Sequence, residues 1–348
     1  MNKENRTPAE QQLTISRGGL TIEVSEYGAR LTRCLVPASD GSIADVAPGM
    51  DSAEDYAARG GTMGAVLGRY GNIISDAKVE IGGKTYALSA NRPPHSMHGG
   101  AGNFGTRFWS GDKIDAGTIR LSLESPDGDQ GWPGRVRAAV EYGLSENREL
   151  TIEMTAHSDR DTYLNMLFHG YWNLRGHGSG SVRCHRLRIA ADHYLPKRAD
   201  GAPDGRMMSV TDTPFDFTQA REIGEGIDRL GRGYAHNLCL DRKAPEALGE
   251  VVRLADPSSG RALALSTDQP GVQLFTANLW SGLKGKGGAI YNAHDAVALE
   301  TQLYPNTPNT PSFKPQLIRA GETYRHRMVI AFHALDPANI DNFLNAPF

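Results

Sequence analysis

The sequence predicts an all-β protein, a sandwich or barrel, from three observations: end-to-end alternation of apolar and polar residues, abundant turn formers, and few helical spacings. Leu20, Ile22 and Val24 alternate with polar neighbours, as do Ile119, Leu121 and Leu123. The same period recurs at Leu150, Ile152 and Met154, at Val272 and Leu274, and at Met328, Ile330 and Phe332. Successive side chains of a strand point to opposite faces, so this period marks half-buried strands. Short strands of this kind separated by turns build sandwiches or barrels. Residues 79–88 read as a hairpin around Gly82-Gly83, a pair that tolerates the positive φ of a two-residue turn. The 40 glycines and 19 prolines supply the other turns and long loops.

Two short stretches carry helical signals. Residues 51–58 fit about two turns with Asp51 or Ser52 as the cap, and residues 339–344 fit another. No internal repeat, low-complexity tract or linker-like shift interrupts the chain. All 348 residues therefore read as one domain, 1–348, with residues 1–12 as a flexible N-terminal extension.

Composition excludes several function classes. The formal net charge is -3, which offers no basic footprint for nucleic acid. No run approaches the ~18 apolar residues of a membrane helix. The first twelve residues are polar and lack the apolar stretch of a signal peptide. Cys34, Cys184 and Cys239 are odd in number and far apart, which fits neither a disulfide framework nor zinc spacing. The expectation is a cytoplasmic protein, monomer or homodimer, with a small-molecule partner and no membrane or nucleic-acid partner.

Three patterns resemble chemical motifs and fail on detail. Gly176-His177-Gly178-Ser179-Gly180 lacks the register of a nucleophile elbow and reads as a turn. Gly285-Lys286-Gly287-Gly288 lacks the spacing of a phosphate loop and its following Ser or Thr, and reads as a mobile loop. His95 and His98, with His169 and Glu300, could form a metal set. The following Gly99-Gly100 implies a turn that would not present both imidazoles, so no metal is expected.

What remains is a set of polar residues at the ends of strand-like runs. His98 precedes Gly99-Gly100. His169 is wedged among Phe168, Tyr171 and Trp172 in an apolar segment. Glu300 interrupts the apolar run Val297-Ala298-Leu299, where a carboxylate is costly unless paired or functional. Each alone has a plain structural explanation: a satisfied core histidine, or an edge-strand glutamate facing water.

Together with other segments they form an ordered series. Gly68-Arg69-Tyr70-Gly71-Asn72 and Met97-His98-Gly99-Gly100 come first. Ser125-Pro126-Asp127-Gly128, Gly131-Trp132-Pro133-Gly134 and His169-Gly170-Tyr171-Trp172-Asn173-Leu174 follow. Thr213-Pro214-Phe215-Asp216-Phe217, Pro270-Gly271-Val272-Gln273 and Leu299-Glu300-Thr301-Gln302, with the proline-rich stretch to Pro315, complete it. In order and spacing the series resembles the aldose 1-epimerase (galactose mutarotase) family over most of the chain.

The resemblance implies a large twisted antiparallel β-sandwich with an open sugar-binding cleft. It implies His169 as acid, Glu300 as base, and Arg69 and His98 as sugar-binding partners. Tyr171 and Trp172 offer apolar faces to a sugar ring. The sequence also departs from the family pattern. Where an Asp that contacts sugar hydroxyls usually precedes the His, the segment reads Tyr234-Ala235-His236-Asn237-Leu238. The replacement for that carboxylate is sought in His236, Asn237 or another loop. Phe168 stands where Asn is common, and Arg175 where a small residue is; Arg175, if it faces the cleft, would favour an acidic sugar. A polar site deprived of its partner discriminates strongly, so an altered sugar preference is expected.

The implied chemistry needs no cofactor. Opening and reclosing a cyclic hemiacetal moves one proton off the anomeric hydroxyl and another onto the ring oxygen, with no electron transfer. A carboxylate of pKa ~4.3 and an imidazole near ~6.5 suit these roles at neutral pH, placed on opposite sides of one carbon. Two rivals stay open: a carbohydrate-binding or regulatory protein that lost catalysis, and an epimerase or lyase acting on an uncommon sugar acid.

Overall fold

The computed structural model describes residues 11–242, 244 and 247–348. The first ten residues of the expected N-terminal extension lie outside that range, and Gln12 already opens the first strand, Gln12–Arg17. The two largest sheets are both antiparallel. A nine-stranded sheet runs, in spatial order, Ser110–Asp115, Thr118–Ser125, Val136–Leu144, Glu149–Ser158, Thr323–Ala334, Arg261–Thr267, Gly249–Ala255, Arg186–Ile189 and Arg221–Glu222. A six-stranded sheet runs Tyr171–Trp172, Val297–Gln302, Gly271–Phe275, Ala235–Cys239, His193–Tyr194 and Met208–Ser209. A four-stranded sheet from Gln12 to Asp45 adds a further layer.

The alternation of the sequence becomes the alternation of faces. Ile152, Met154, Leu265, Met328 and Ile330 of the nine-stranded sheet meet Leu238, Val272, Leu274, Val297 and Leu299 of the six-stranded sheet in one continuous core. Each large side chain buried there contributes roughly 1.5–3 kcal/mol of hydrophobic stabilisation. The predicted hairpin pairs Lys78–Ile81 with Lys84–Ala87, and Gly82 and Gly83 take φ of 58° and 76°.

The helical expectations are met in part. Ser52 caps Ala53–Asp55 by accepting from the Asp55 amide, and the chain continues as a wider turn over Tyr56–Gly60. The C-terminal helix is Ile340–Asn345. Ile223–Leu230 is an additional helix. Its signal, Ile223, Ile227 and Leu230 on one face, is diluted by Gly224 and Gly226. Residues 285–288 differ from the expected mobile loop. Lys286 is buried, its ammonium 2.6 Å from Asp45 and donating to the Thr32 carbonyl at 2.6 Å, which pins the segment to the four-stranded sheet.

Candidate active site

The face of the six-stranded sheet turned away from the core forms a cleft floor. Register builds it: Tyr171 pairs with Ala298, Ala298 with Phe275 and Phe275 with Ala235, while Glu300 pairs with Gln273 and Gln273 with Asn237. Side chains two apart share a face, so these two rows lie side by side. The intervening Trp172, Leu299, Leu274 and Leu238 point into the core. A cavity of about 480 Å³ opens over the floor, lined among others by Asn72, His98, His169, Tyr171, Gln273 and Glu300.

His169 follows the short strand Leu167–Phe168 and is held by its own backbone. Its amide donates to the Ala65 carbonyl at 2.8 Å, and its carbonyl accepts from Gly64 at 2.9 Å. His169 Nε2 then stands 3.4 Å from Glu300 Oε1. Both side chains are buried, and Glu300 Oε2 has no hydrogen-bond partner. A buried polar atom without a partner is rare in a folded protein; here it belongs to a residue that lines the cavity.

His98 approaches from the opposite wall, its ring centre 5.5 Å from that of His169. It sits in a left-handed turn at φ 54°, followed by Gly99 at φ 94°. A Cβ on Gly99 would lie 2.1 Å from the Gly68 carbonyl oxygen, so only glycine closes this turn. The Asn72 amide donates to His98 Nδ1 at 3.1 Å. Burial holds the His98 pKa down at about 4, with Arg92 adding to the shift. His98 is thus neutral at pH 7, accepts through Nδ1 and carries its proton on Nε2. Asn72 Nδ2 also donates to Gln273 Oε1 and Gln302 Oε1, and Gln302 Nε2 donates to Asn237 Oδ1, tying the polar floor together.

The protonation states differ from the sequence expectation. Burial raises the Glu300 pKa to about 8, against a smaller opposing effect of Lys197. Burial, then the neighbouring His98, holds His169 well below its usual value. Both groups are driven to their neutral forms because the dry wall disfavours either charge. At neutral pH the pair therefore shares one proton, resting on the carboxyl. The expected separation is also corrected: the two groups touch. Physical chemistry accommodates this, since the anomeric hydroxyl and ring oxygen are bonded to the same carbon and can be served from one side.

The other predicted site residues divide. Tyr171 lines the cleft, stacked at 5.0 Å on His169 and packed at 4.9 Å on Trp280. Trp172, one residue on, points the other way and packs on Phe168 and Phe332 in the core. Arg69 is buried away from the cavity, donating to Ser125 and to the carbonyls of Pro126 and Pro133. Arg175 binds Asp256 and Ser258 instead of facing the cleft. His236 faces the core side and packs on Phe215 at 4.5 Å. Asn237 lies on the floor face, accepting from Gln302 Nε2 at 3.0 Å, and is not among the residues that line the cavity. His95 turns to the Asp76 amide and Asp200, so it does not join His98. His98, His169 and Glu300 do converge, with ligand-type atoms within 4.8 Å of one another.

Sequence reading did not single out Asn72, Arg92, Lys197, Gln273, Phe275 or Trp280 as wall residues. Asn72 and Gln273 sit inside segments that carried the family resemblance. Lys197 and Trp280 come from loops where no periodicity signals orientation.

Fold and cleft define the class: an antiparallel β-sandwich presenting a buried imidazole–carboxyl pair to a cavity sized for a small polar ligand. Residues 11–331 match the family model described as aldose 1-epimerase. The chain is 38% identical over 309 residues to a galactose mutarotase of Mus musculus, covering 88% of this chain and 89% of that protein. It is 33% identical over 319 residues to an aldose 1-epimerase of Escherichia coli (strain K12), covering 89% and 91%. A solved GalM/aldose epimerase homologue from C. elegans superposes with a TM-score of 0.88 at 28% identity, covering 94% of this chain and 100% of that one. The chain belongs to the aldose 1-epimerase family. Among the described residues, no helix is long and apolar enough to cross a membrane.

Proposed function

We propose that the protein interconverts the α and β anomers of an aldose, with Glu300 and His169 as the proton-transfer pair. The single observation that carries this is the 3.4 Å contact between His169 Nε2 and Glu300 Oε1 at the wall of a polar cavity. Binding of a polyhydroxylated ring surrounds Glu300 with donors and restores its ionised form, leaving the shared proton on His169. Glu300 then accepts the anomeric hydroxyl proton while His169 donates to the ring oxygen, and the C1–O5 bond breaks to give the open aldehyde. The pair is left as neutral imidazole and protonated carboxyl, which is the combination burial favours. After rotation about C1–C2, the same proton movements run backwards and close the ring on the other face of the carbonyl.

His98, holding its proton on Nε2, donates to an oxygen of the ring without changing charge. Tyr171, Trp280 and Phe275 supply aromatic faces for the C–H side of the sugar. We place the enzyme in the cytoplasm, a reading supported by Cys34, Cys184 and Cys239, all of them free thiols. The test is anomer exchange of D-galactose and D-glucose, followed by saturation-transfer NMR with catalytic amounts of protein. Exchange well above the buffer rate is expected. Saturable sugar binding without acceleration would instead favour a binding protein built on the same fold.

A further inference from the structure

We propose that the aldose carries an anionic group, carboxylate or phosphate, at the end remote from its anomeric carbon, and that Lys197 receives it. This rests on the mutarotase reading and specifies its substrate class. The cavity wall holds three cations, Arg59, Arg92 and Lys197, against one carboxyl, Glu300, which burial neutralises. Arg59 is occupied, 2.5 Å from Asp55 and donating to the Lys284 carbonyl. Arg92 and Lys197 have no carboxylate within ion-pair distance among the described residues. Arg232 lies close enough to repel Lys197 further.

Lys197 is placed where floor chemistry is missing. Its ammonium donates to the Ala235 carbonyl, and Ala235 itself brings no polar atom to the floor row it shares with Phe275 and Ala298. Ala235 lies two strand spacings from the strand of Glu300, about 10 Å across the sheet. One sugar ring fits between them, with C1 at the His169–Glu300 pair and its far substituent at Lys197.

An ammonium has three donors and is a compact charge; one carbonyl leaves two donors free, and the only carboxyl among the described residues that acts on it, Glu300, is the group the reaction itself uses. Lys197 stands at the solvent-reached rim of the cavity, with Arg92 and Arg232 near enough to act on it as like charges. Those surroundings, burial first and then Arg92, bring its pKa down to about 8. Phe275 and Trp280 line the same cavity, and their low-dielectric rings would strengthen an ion pair formed beside them. A neutral hexose offers Lys197 only hydroxyl acceptors, whereas an anionic sugar offers it a charged partner.

The experiment compares kcat/KM for anomer exchange of D-glucose, D-galactose, D-glucuronate, D-galacturonate and D-glucose 6-phosphate, using the full-length protein at low ionic strength. At least one anionic sugar is expected to exceed its neutral counterpart by about tenfold or more, the size of a charge-assisted hydrogen bond. Lys197→Met should collapse that anionic-to-neutral ratio, and Lys197→Arg should retain most of it. Preference for a uronate assigns the carboxylate, and preference for the phosphate assigns that ester. Equal or better turnover of neutral hexoses, or an unchanged ratio in Lys197→Met, overturns the inference while leaving mutarotation intact. Failure of all five sugars to exchange faster than in buffer overturns the mutarotase reading itself, and this inference with it.

Discussion

Two imidazole–carboxyl pairs are buried among the described residues, His169–Glu300 at 3.4 Å and His185–Asp256 at 3.8 Å, and their surroundings give them opposite properties. Burial alone would raise both carboxyl pKa values. At Asp256 that effect is overcome by His185, by Ser258 and Ser259, and by Arg175, which together hold it down at about 2. Ser258 Oγ donates at 2.7 Å, the Ser259 amide at 2.9 Å and Arg175 at 3.1 Å. At Glu300 no donor reaches Oε2, and the pKa rises to about 8. A carboxylate that is already satisfied does structural work, cross-linking Arg175 and the turn at residues 256–260. A carboxyl left unsatisfied at a cavity wall is ready for a ligand's hydroxyl.

Replacing the carboxyl of each pair with an amide separates these roles. Glu300→Gln is expected to lower kcat/KM for anomer exchange by about 10²–10⁴-fold, the usual contribution of a positioned proton-transfer group, with the fold intact by circular dichroism. His169→Asn should do the same. Asp256→Asn leaves the catalytic groups untouched but strands the Arg175 guanidinium and the serine donors. Its cost is about 1–3 kcal/mol of stability, the loss of hydrogen bonds to a buried carboxylate whose cationic partner is itself partly exposed, measured by urea unfolding. If Asp256→Asn abolished turnover in a fully folded sample, or if Glu300→Gln left it near normal, the contrast between the pairs would collapse.

How far this contrast could be read from the sequence depends on the element. Period-two runs such as Leu150–Met154 and Met328–Phe332 reported their strands directly, because one face is apolar and the other is not. Glu300 stood out for the same reason, as a charge directly after the apolar run Val297-Ala298-Leu299. Tyr171 and Trp172 show the limit of that signal. Adjacent strand residues must face opposite ways, but which one faces the cleft depends on which side of the sheet the core covers. Arg69 and Arg175 were misplaced because the carbonyls and the Asp256 that hold them come from segments 56 or more residues away. Lys197 left no trace in the pattern, since its position depends on a loop folding back onto the Ala235 carbonyl. The protonation of Glu300 was equally invisible: it follows from the absence of donors around Oε2, a property of three dimensions only.

That absence predicts a pH-dependent stability penalty. The folded protein holds a proton on Glu300 up to about pH 8, whereas an unfolded chain releases it near the ordinary glutamate value of 4.5. Between those values the native state binds more protons than the unfolded one, so this group makes stability fall as pH rises. Glu300→Gln removes the penalty. The variant should match the parent near pH 4 and exceed it by a few kcal/mol at pH 8–9, on the scale of ~1.4 kcal/mol per pKa unit. Thermal unfolding at several pH values measures this. A constant offset between the two proteins across that range would show that Glu300 is ionised in the fold.

The smallest expected effect concerns metal. His98, His169 and Glu300 converge closely enough to hold an ion, and a metal centre would make the pair's proton chemistry irrelevant. The hydrogen bond at His98 argues against it. With Nδ1 accepting from the Asn72 amide, the neutral ring must carry its proton on Nε2, the only nitrogen left for a ligand. Coordination through Nε2 would push that proton onto Nδ1, against the Asn72 N–H, and two donors would collide. Metal-binding histidines normally carry the reverse arrangement, with the far nitrogen donating to a carbonyl or carboxylate. Exhaustive treatment with EDTA, followed by addition of Zn²⁺ or Mn²⁺, should therefore leave anomer exchange within about twofold of the untreated enzyme, far below the 10–100-fold that disturbing a metal's outer shell typically costs. A loss on chelation that one of these ions restores would move His98 and His169 from proton carriers to ligands.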